Sequence, residues 1–190
     1  GGIIVSNNSK IINIKGGDAS NIVPKKVNVE VPINSYDEST LNEFFRDHDI
    51  EYNIIKSDES IRLTVFGKSA HASLPDEGIN AIAYLLEGLY RAEFNDELVA
   101  YFHDKIALCT HGEKLGLDVL KDEYTDFTMN VGLIRKEGEK IIITLDNRFP
   151  VTRKIEDVKP RLLETLNLGN NHFEVTSSVE PLFFSLDDPM

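Results

Sequence analysis

The stretch from Gly67 to Leu86 follows a run of alternating apolar and polar positions and leads into a helical pattern. Ile61, Leu63 and Val65 alternate with more polar neighbours, which predicts a half-buried strand. A polar turn comes next. The apolar residues after it recur at intervals of three and four, which predicts a helix with one core-facing stripe: Ile79, Ile82, Ala83, Leu86, Leu89 and Tyr90.

The rest of the chain shows the same two periodicities in shorter runs. Before this stretch the pattern predicts two strands, a helix and a third strand: Ile11–Ile14, Val27–Val31, Asp37–His48 and Tyr52–Ile55. After it the pattern predicts two further helical stretches, a hairpin of two strands, a helix and a last strand: 98–106, 107–121, Phe127–Arg135, Ile141–Leu145, Ile155–Leu166 and Phe173–Val179. Asp37 is a predicted N-cap, Asn95-Asp96 is a predicted cap, and Asn80 is expected to serve the start of the helix that follows the turn.

The order of these elements predicts the fold class. From Ile61 onward the order is strand, helices, strand, strand, helix, strand, which is typical of a ferredoxin-like unit. Residues 11–55 repeat the later part of that motif. We therefore predict an α+β chain of two fused ferredoxin-like subdomains with antiparallel sheets and helices on one face. The incomplete subdomain covers residues 1–58 and the complete one covers residues 59–190.

Composition narrows the classes of function. The chain has 190 residues, 41% of them hydrophobic, and a net charge of −12, which argues against a nucleic-acid partner because no basic stripe is present to neutralise phosphates. The single cysteine, Cys109, excludes an internal disulfide and fits a reducing compartment, so we expect a cytoplasmic protein. No apolar run reaches membrane length and no signal-peptide pattern opens the chain.

Motifs that would carry catalysis within this chain are missing from the sequence. There are five histidines, but no His-x-Asp, no His-x-x-x-His and no adjacent Glu-Glu pair, so no metal ligands are predicted here. His103 and His111 fit a surface helix better than a metal site. His71 lies where a strand gives way to a turn, among small residues that would let a ligand approach, although a capped loop residue is the plainer interpretation. By residue patterns alone the chain is a non-catalytic α+β domain.

The chain begins at Gly1-Gly2 without a methionine and stops in a turn-like segment at Met190. We expect it to be a piece of a longer polypeptide.

Three motifs resemble the second domain of the aminoacylase/carnosinase family of di-zinc peptidases. They are G-K-x-x-H-A-S-x-P-x-x-G-x-N-A-I at Gly67–Ile82, G-x-x-x-N-x-V-P at Gly17–Pro24 and L-D-N-R-F-P-V at Leu145–Val151. In this family a zinc-binding catalytic domain is interrupted by an inserted lid or dimerisation domain of ferredoxin-like fold. The order of the motifs and the incomplete first half are most similar to monomeric PepV-like dipeptidases, whose lid carries two fused subdomains.

The resemblance implies a role for three residues. His71 matches the lid histidine that stabilises the tetrahedral oxyanion, and is the expected catalytic residue. Arg148 matches the arginine that binds the C-terminal carboxylate of the substrate, and Asn21 matches an asparagine that helps to hold it. Read without the resemblance, Arg148 could equally be a surface arginine paired with Asp146. Asn21 could be an ordinary turn residue.

The resemblance also implies the setting of the chain. It would be the lid of a zinc dipeptidase that hydrolyses dipeptides, with zinc bound by a catalytic domain of the same polypeptide and not by this chain. The isolated chain would be inactive and the parent enzyme a monomer. Two alternatives stay open: the lid or dimerisation domain of an N-acyl amino acid deacylase, and a stand-alone ferredoxin-like interaction module.

Overall fold

The computed structural model describes residues 1–123, 125–150 and 152–176. Within these ranges the strands are β1 (Gly2–Ser6), β2 (Asn13–Gly16), β3 (Lys26–Pro32), β4 (Tyr52–Lys56), β5 (Ser60–Phe66), β6 (Thr128–Glu137), β7 (Lys140–Arg148) and β8 (Asn171–Val175). The α-helices are α1 (Glu38–Asp47), α2 (Ala81–Arg91), α3 (Glu97–Lys105) and α4 (Ile155–Leu166). Short 3₁₀ turns cover Pro75–Glu77 and Glu113–Leu115.

All eight strands belong to one open sheet in the order β4-β5-β3-β2-β6-β7-β1-β8. Each neighbouring pair is antiparallel. The predicted α+β class with antiparallel strands is therefore confirmed, whereas its ferredoxin-like detail stays a prediction.

The predicted alternation appears in the centre of the sheet. The inward side chains of β3 pair in register with those of β5, and all of them are buried: Val27 with Val65, Val29 with Leu63 and Val31 with Ile61. Their neighbours Asn28 and Thr64 lie on the other face, where the Thr64 hydroxyl donates to the Asn28 side chain at 2.7 Å. Period-two burial thus gives this part of the sheet one face for the core.

The helices cover the core face. α2 contacts β3, β5 and β6 directly, α1 and α3 pack against α2, and α4 packs against β8. Side-chain oxygens cap three of the helices at the predicted places: Asp37 accepts from Thr40 N, Asn80 from Ala83 N and Asp96 from Val99 N. Of the stripe predicted for α2, four residues are buried: Ile82, Ala83, Leu86 and Leu89. Tyr90 is exposed, and Ile79 lies before the helix begins.

One helical prediction is wrong. Residues 107–121 form no α-helix but a loop with the single 3₁₀ turn Glu113–Leu115. The backbone is left-handed at Ala107, Gly112 and Gly116, with φ of 52°, 65° and 71°, and left-handed residues interrupt a right-handed helix. The predicted last strand runs as Asn171–Val175, and residues 177–179 of that prediction lie outside the described residues.

Strand β1 was not predicted, and it lies between β7 and β8. Likewise β5 pairs with β3 and β4, on the other side of residue 58. The predicted division into subdomains of residues 1–58 and 59–190 stays a prediction, and the hydrogen-bonded neighbours of β1 and β5 lie across it.

Candidate functional site

Two glycines of the long motif let the His71 loop cross over the start of α2. Lys68 and Ile79 exchange backbone hydrogen bonds of 2.9 and 2.8 Å. A Cβ on Gly67 would lie 2.1 Å from the Ile79 oxygen, and one on Gly78 would lie 2.8 Å from the Lys68 oxygen. Because no larger residue fits this crossing, the glycines hold the ends of the loop together and present its tip to solvent.

His71 is exposed at that tip, and its ring orientation is fixed from one side. The backbone N–H of Ser73 donates to Nδ1 at 3.1 Å, and the Ser73 hydroxyl lies 2.6 Å from the same atom. An amide can only donate, so Nδ1 is the acceptor and the proton of the neutral ring is on Nε2. The Nε2–H group is therefore the donor that His71 offers to a partner.

Asn21 is brought next to His71 by backbone pairing. Ile22 and His71 form an isolated antiparallel bridge. The Ala72 N–H donates to the Asn21 carbonyl at 2.9 Å, and the Val23 N–H donates to the Ala70 carbonyl at 2.8 Å. Two of the three predicted site residues thus lie on adjacent segments, and both are exposed.

Arg148 lies at the end of β7 with its guanidinium held by a neighbour. Nε donates to one carboxylate oxygen of Asp146 at 3.0 Å and Nη2 donates to the other at 3.3 Å. This is the pair that the interpretation of Arg148 as a surface arginine expected. These two bonds leave the N–H groups of Nη1 able to bind a second carboxylate, so Asp146 orients Arg148 without using all of its donors.

Arg148 lies across β6 from the other two predicted residues. In the register of β6 and β7, Arg148 pairs with Thr128 and Asp146 pairs with Asn130. Within the described part of the chain, no hydrogen bond joins Arg148 to His71 or Asn21. The structure therefore brings the three residues to the same end of the sheet, but connects Arg148 to the others only through β6.

A second histidine stands close by. His111 Nε2 lies 2.9 Å from a carboxylate oxygen of Asp76, and His111 Nδ1 lies 2.9 Å from the Phe127 carbonyl oxygen. Burial alone would lower the pKa of His111, but the hydrogen bonds to Asp76 and to that carbonyl outweigh it and raise the pKa. Hydrogen bonds from Thr110 and His111 lower the pKa of Asp76. The pair ties the turn after His71 to the segment before β6.

His103 is not the solvated helix residue that the sequence suggested. Its ring stacks on Tyr90 at a centroid distance of 3.7 Å, and Nδ1 lies 3.0 Å from the carboxylate of Glu87, which is buried. Arg91 also donates to Glu87 at 3.0 Å. The contacts among Glu87, Tyr90, Arg91 and His103 join α2 to α3. Their structural role accounts for the position of His103.

Comparison with known family models finds a match in the middle of the chain. Residues 59–144, which contain His71 and its loop, match the family M20_dimer, described as peptidase dimerisation domain. This stretch is similar to the dimerisation domain of M20-family peptidases. The match leaves out Asn21 and Arg148, which lie before and after it.

Two relatives match most of the length of this chain. A Bacillus subtilis (strain 168) protein named "Putative dipeptidase YtjP" is 29% identical over 155 residues, covering 78% of this chain and 34% of the relative. A Staphylococcus epidermidis protein named "Putative dipeptidase" is 24% identical over 189 residues, covering 95% of this chain and 40% of the relative. The chain thus spans less than half the length of these relatives.

The described residues do not fit a metal centre. Across residues 1–123, 125–150 and 152–176, no three His, Cys, Asp or Glu side chains are grouped so that they could hold an ion. In the same ranges none of the helices combines the length and the apolar character needed to cross a bilayer. The candidate site thus offers a ligand three hydrogen-bond donors: His71 Nε2–H, the Asn21 amide and the Arg148 guanidinium.

Sequence reasoning missed the residues that orient these donors. Ser73 was quoted within a motif, but its contact to His71 was not assigned, whereas the pairing of Asp146 with Arg148 was expected from the interpretation of Arg148 as a surface arginine. Asn130 was not singled out, because a polar residue on the outer face of an alternating strand is ordinary. A signal did exist: Gly132 interrupts the same strand beside the loop that begins at Gly17, and such glycines indicate a close backbone approach.

Proposed function

We propose that this chain is the lid of a zinc dipeptidase, whose catalytic domain belongs to the same polypeptide but not to this chain. The observation that carries the proposal is the state of His71, which is exposed and held at Nδ1 by the Ser73 amide so that Nε2–H points away as a donor. The names of the two relatives, which both contain the words "Putative dipeptidase", support the substrate class.

His71 would act on the reacting carbonyl. When a nucleophile adds to a peptide carbonyl, the oxygen gains negative charge, and a fixed N–H donor stabilises that charge more than it stabilises the starting amide. A neutral imidazole with its proton on Nε2 meets this requirement. The Ser73 amide reduces the reorganisation needed, because it holds the ring in the required tautomer before substrate arrives.

Arg148 and Asn21 would hold the other end of the dipeptide. A free C-terminal carboxylate offers two oxygens to a guanidinium, and the Nη1 side of Arg148 can bind them while Asp146 keeps the other side. The Asn21 amide adds a neutral donor beside His71. With one residue at the reacting carbonyl and two at the C-terminal carboxylate, the site would select a substrate with the short length of a dipeptide.

Zinc would be supplied by the catalytic domain and would activate the attacking water there. Since the described residues do not form a ligand group, no step in this chain depends on it. We expect the 190-residue chain alone to be inactive. Its single cysteine supports a cytoplasmic location.

The oligomeric state separates this proposal from the deacylase alternative. We infer a monomeric parent, whereas the description of the matched family as a dimerisation domain favours self-association. Light scattering of the complete enzyme decides between them. If the complete enzyme hydrolysed N-acyl amino acids in preference to dipeptides, the lid would belong to a deacylase.

The test of the proposal is His71→Ala in the complete enzyme. We expect kcat to fall by about 10²–10³-fold, the usual cost of one oxyanion donor, while the metal content is unchanged. His172→Ala is the matched control, because His172 lies on β8 at the other end of the sheet, and it should leave kcat unchanged. A kcat for His71→Ala within twofold of the parent would remove the proposed role.

A further inference from the structure

Asn130 has a buried side chain at the point where the two parts of the candidate site meet. It lies on β6, it is 1% exposed, and it belongs to none of the three motifs. One side of β6 faces the loop that carries Asn21, and the other side pairs with β7, which carries Arg148. A buried amide needs a reason to be there, because its polar atoms lose their water.

The Nδ2 group of Asn130 donates two hydrogen bonds to the loop that carries Asn21. It donates to the Ser20 carbonyl at 3.0 Å and to the Ile22 carbonyl at 3.1 Å. These carbonyls belong to the residues immediately before and after Asn21. The Ser20 carbonyl belongs to the peptide plane before Asn21, and the Ile22 carbonyl to the plane one residue beyond Ile22's own amide. The plane between them is held by the Ala72 N–H, which donates to the Asn21 carbonyl at 2.9 Å. The backbone on both sides of Asn21 is therefore held, and with it the direction in which the Cα–Cβ bond of Asn21 leaves the chain.

Close packing supports the same arrangement. A Cβ on Gly132 would lie 2.5 Å from the Ser20 oxygen, and a Cβ on Gly17 would lie 2.0 Å from the Gly132 oxygen. The loop therefore rests directly on the backbone of β6. On the far side, Asn130 pairs in register with Asp146, whose carboxylate orients Arg148.

We propose that Asn130 is a positioning residue that sets Asn21, and with it the Ile22–His71 pairing, relative to Arg148. The inference rests on the proposed function for its catalytic consequence, but not for its structural part. An aspartate of the same size could not replace it, because a carboxylate would face two carbonyl oxygens with no proton to donate.

The structural part is tested by amide hydrogen exchange on the 190-residue chain with Asn130→Asp. We expect the Ala72 and Val23 amides, which donate across the Asn21–His71 pairing, to exchange at least tenfold faster. Asn171→Asp is the matched control: Asn171 is also buried, at 6% exposure, but lies on β8. That control should leave both amides as they are. Unchanged exchange in Asn130→Asp would overturn the inference.

The catalytic part is tested in the complete enzyme by a double-mutant cycle of Asn130→Asp and Asn21→Ala. If Asn130 acts through Asn21, the double variant should lose no more kcat/KM than the more damaging single variant, within twofold. We also expect a rise in KM that exceeds the fall in kcat, since carboxylate binding is already made with the bound substrate. Losses that multiply would mean a merely structural residue and would overturn the positioning role.

A third measurement separates this inference from the proposed function. Arg148→Met should abolish the preference for a dipeptide over its C-terminal amide. If the parent enzyme shows no such preference, the proposed carboxylate site fails, while the exchange result still decides whether Asn130 sets the loop. If Asn130→Asp does not fold, Asn130→Ala is used for both tests, with the same expected results.

Discussion

His71 and His111 stand on two neighbouring segments, and their rings are held by opposite kinds of partner. The ring of His71 receives a hydrogen bond at Nδ1 from the Ser73 amide. The ring of His111 lies between two acceptors, the Phe127 carbonyl at Nδ1 and the Asp76 carboxylate at Nε2. A ring between two acceptors is stabilised in its protonated form, whereas the hydrogen bond that His71 accepts at Nδ1 leaves its Nε2–H group as the donor.

The difference teaches which of the two histidines has a ring N–H group left for a ligand. His111 is fully occupied by the protein, so it joins two segments and offers nothing to a ligand. His71 is occupied on one side only. Exposure and a free N–H distinguish it, and neither property can be read from its position in the sequence.

The largest effect should come from the loop that pairs with His71. Gly17 has φ of +88° and would place a Cβ 2.0 Å from the Gly132 oxygen, so Gly17→Ala combines backbone strain with a backbone clash. We expect a loss of roughly 2–5 kcal/mol in the free energy of unfolding, measured by urea denaturation.

Gly138→Ala is the matched control for this substitution. Gly138 has φ of +59°, but a Cβ there would meet nothing within 4 Å. The control should therefore cost only the left-handed backbone term, about 1–2 kcal/mol. Equal losses for the two variants would show that the close approach to β6 contributes nothing.

A smaller effect should follow from breaking the His111 pair. Asp76→Asn removes the carboxylate that raises the pKa of His111, so that pKa should fall in an NMR titration. Glu113 also raises the pKa of His111 and remains in this variant. Asp104→Asn, on α3, serves as the control and should leave the pKa of His111 unchanged. An equal pKa of His111 in the parent and in Asp76→Asn would show that Asp76 does not hold this ring.

The same pair predicts a pH dependence of stability. A raised histidine pKa gives stability that is complete below the ordinary value of 6.5 and is lost as pH rises through the raised value. A lowered aspartate pKa gives stability that is present above 3.8 and is lost as pH falls through the lowered value. The difference between the parent and Asp76→Asn should therefore be largest between pH 3.8 and 6.5. We expect it to stay below about 1 kcal/mol, because Asp76 is largely exposed.

The smallest effect should come from Ser73→Ala. It removes the hydroxyl near Nδ1 but keeps the backbone N–H that donates there, so His71 should keep its proton on Nε2. Nitrogen-15 chemical shifts of the ring report the tautomer directly. A change to the Nδ1–H form would mean that the hydroxyl, and not the amide, fixes the ring.

Sequence reasoning reached the elements but not all of their neighbours. The alternation in β3 and β5 and the apolar stripe of α2 were strong signals in the sequence. Each pattern follows from which side of the strand or helix is buried. The cap at Asn80 could be read locally, and its amide also donates to the Val131 carbonyl at 3.0 Å, which could not. The helix predicted over residues 107–121 failed because left-handed residues, one of them Ala107, break it.

The candidate site shows the same limit. His71, Asn21 and Arg148 were selected by motif resemblance, and their roles remain predictions. Their supports were invisible for a physical reason: the bonds of Asn130 to Ser20 and Ile22 span more than a hundred residues. The spacing of residues along the chain carries no information about contacts between a strand and a loop that are far apart in the sequence.

The position of β1 has a mechanical consequence. The chain starts beside β7, crosses to the other half of the sheet for β2 to β5, and returns for β6 to β8. Strands β2 to β5 form one half of the sheet and are consecutive in the chain, whereas in the other half they separate β1 from β6 to β8. The half that contains β1 therefore cannot be excised as one continuous piece of polypeptide. Pulling on one half loads the other through two covalent crossings.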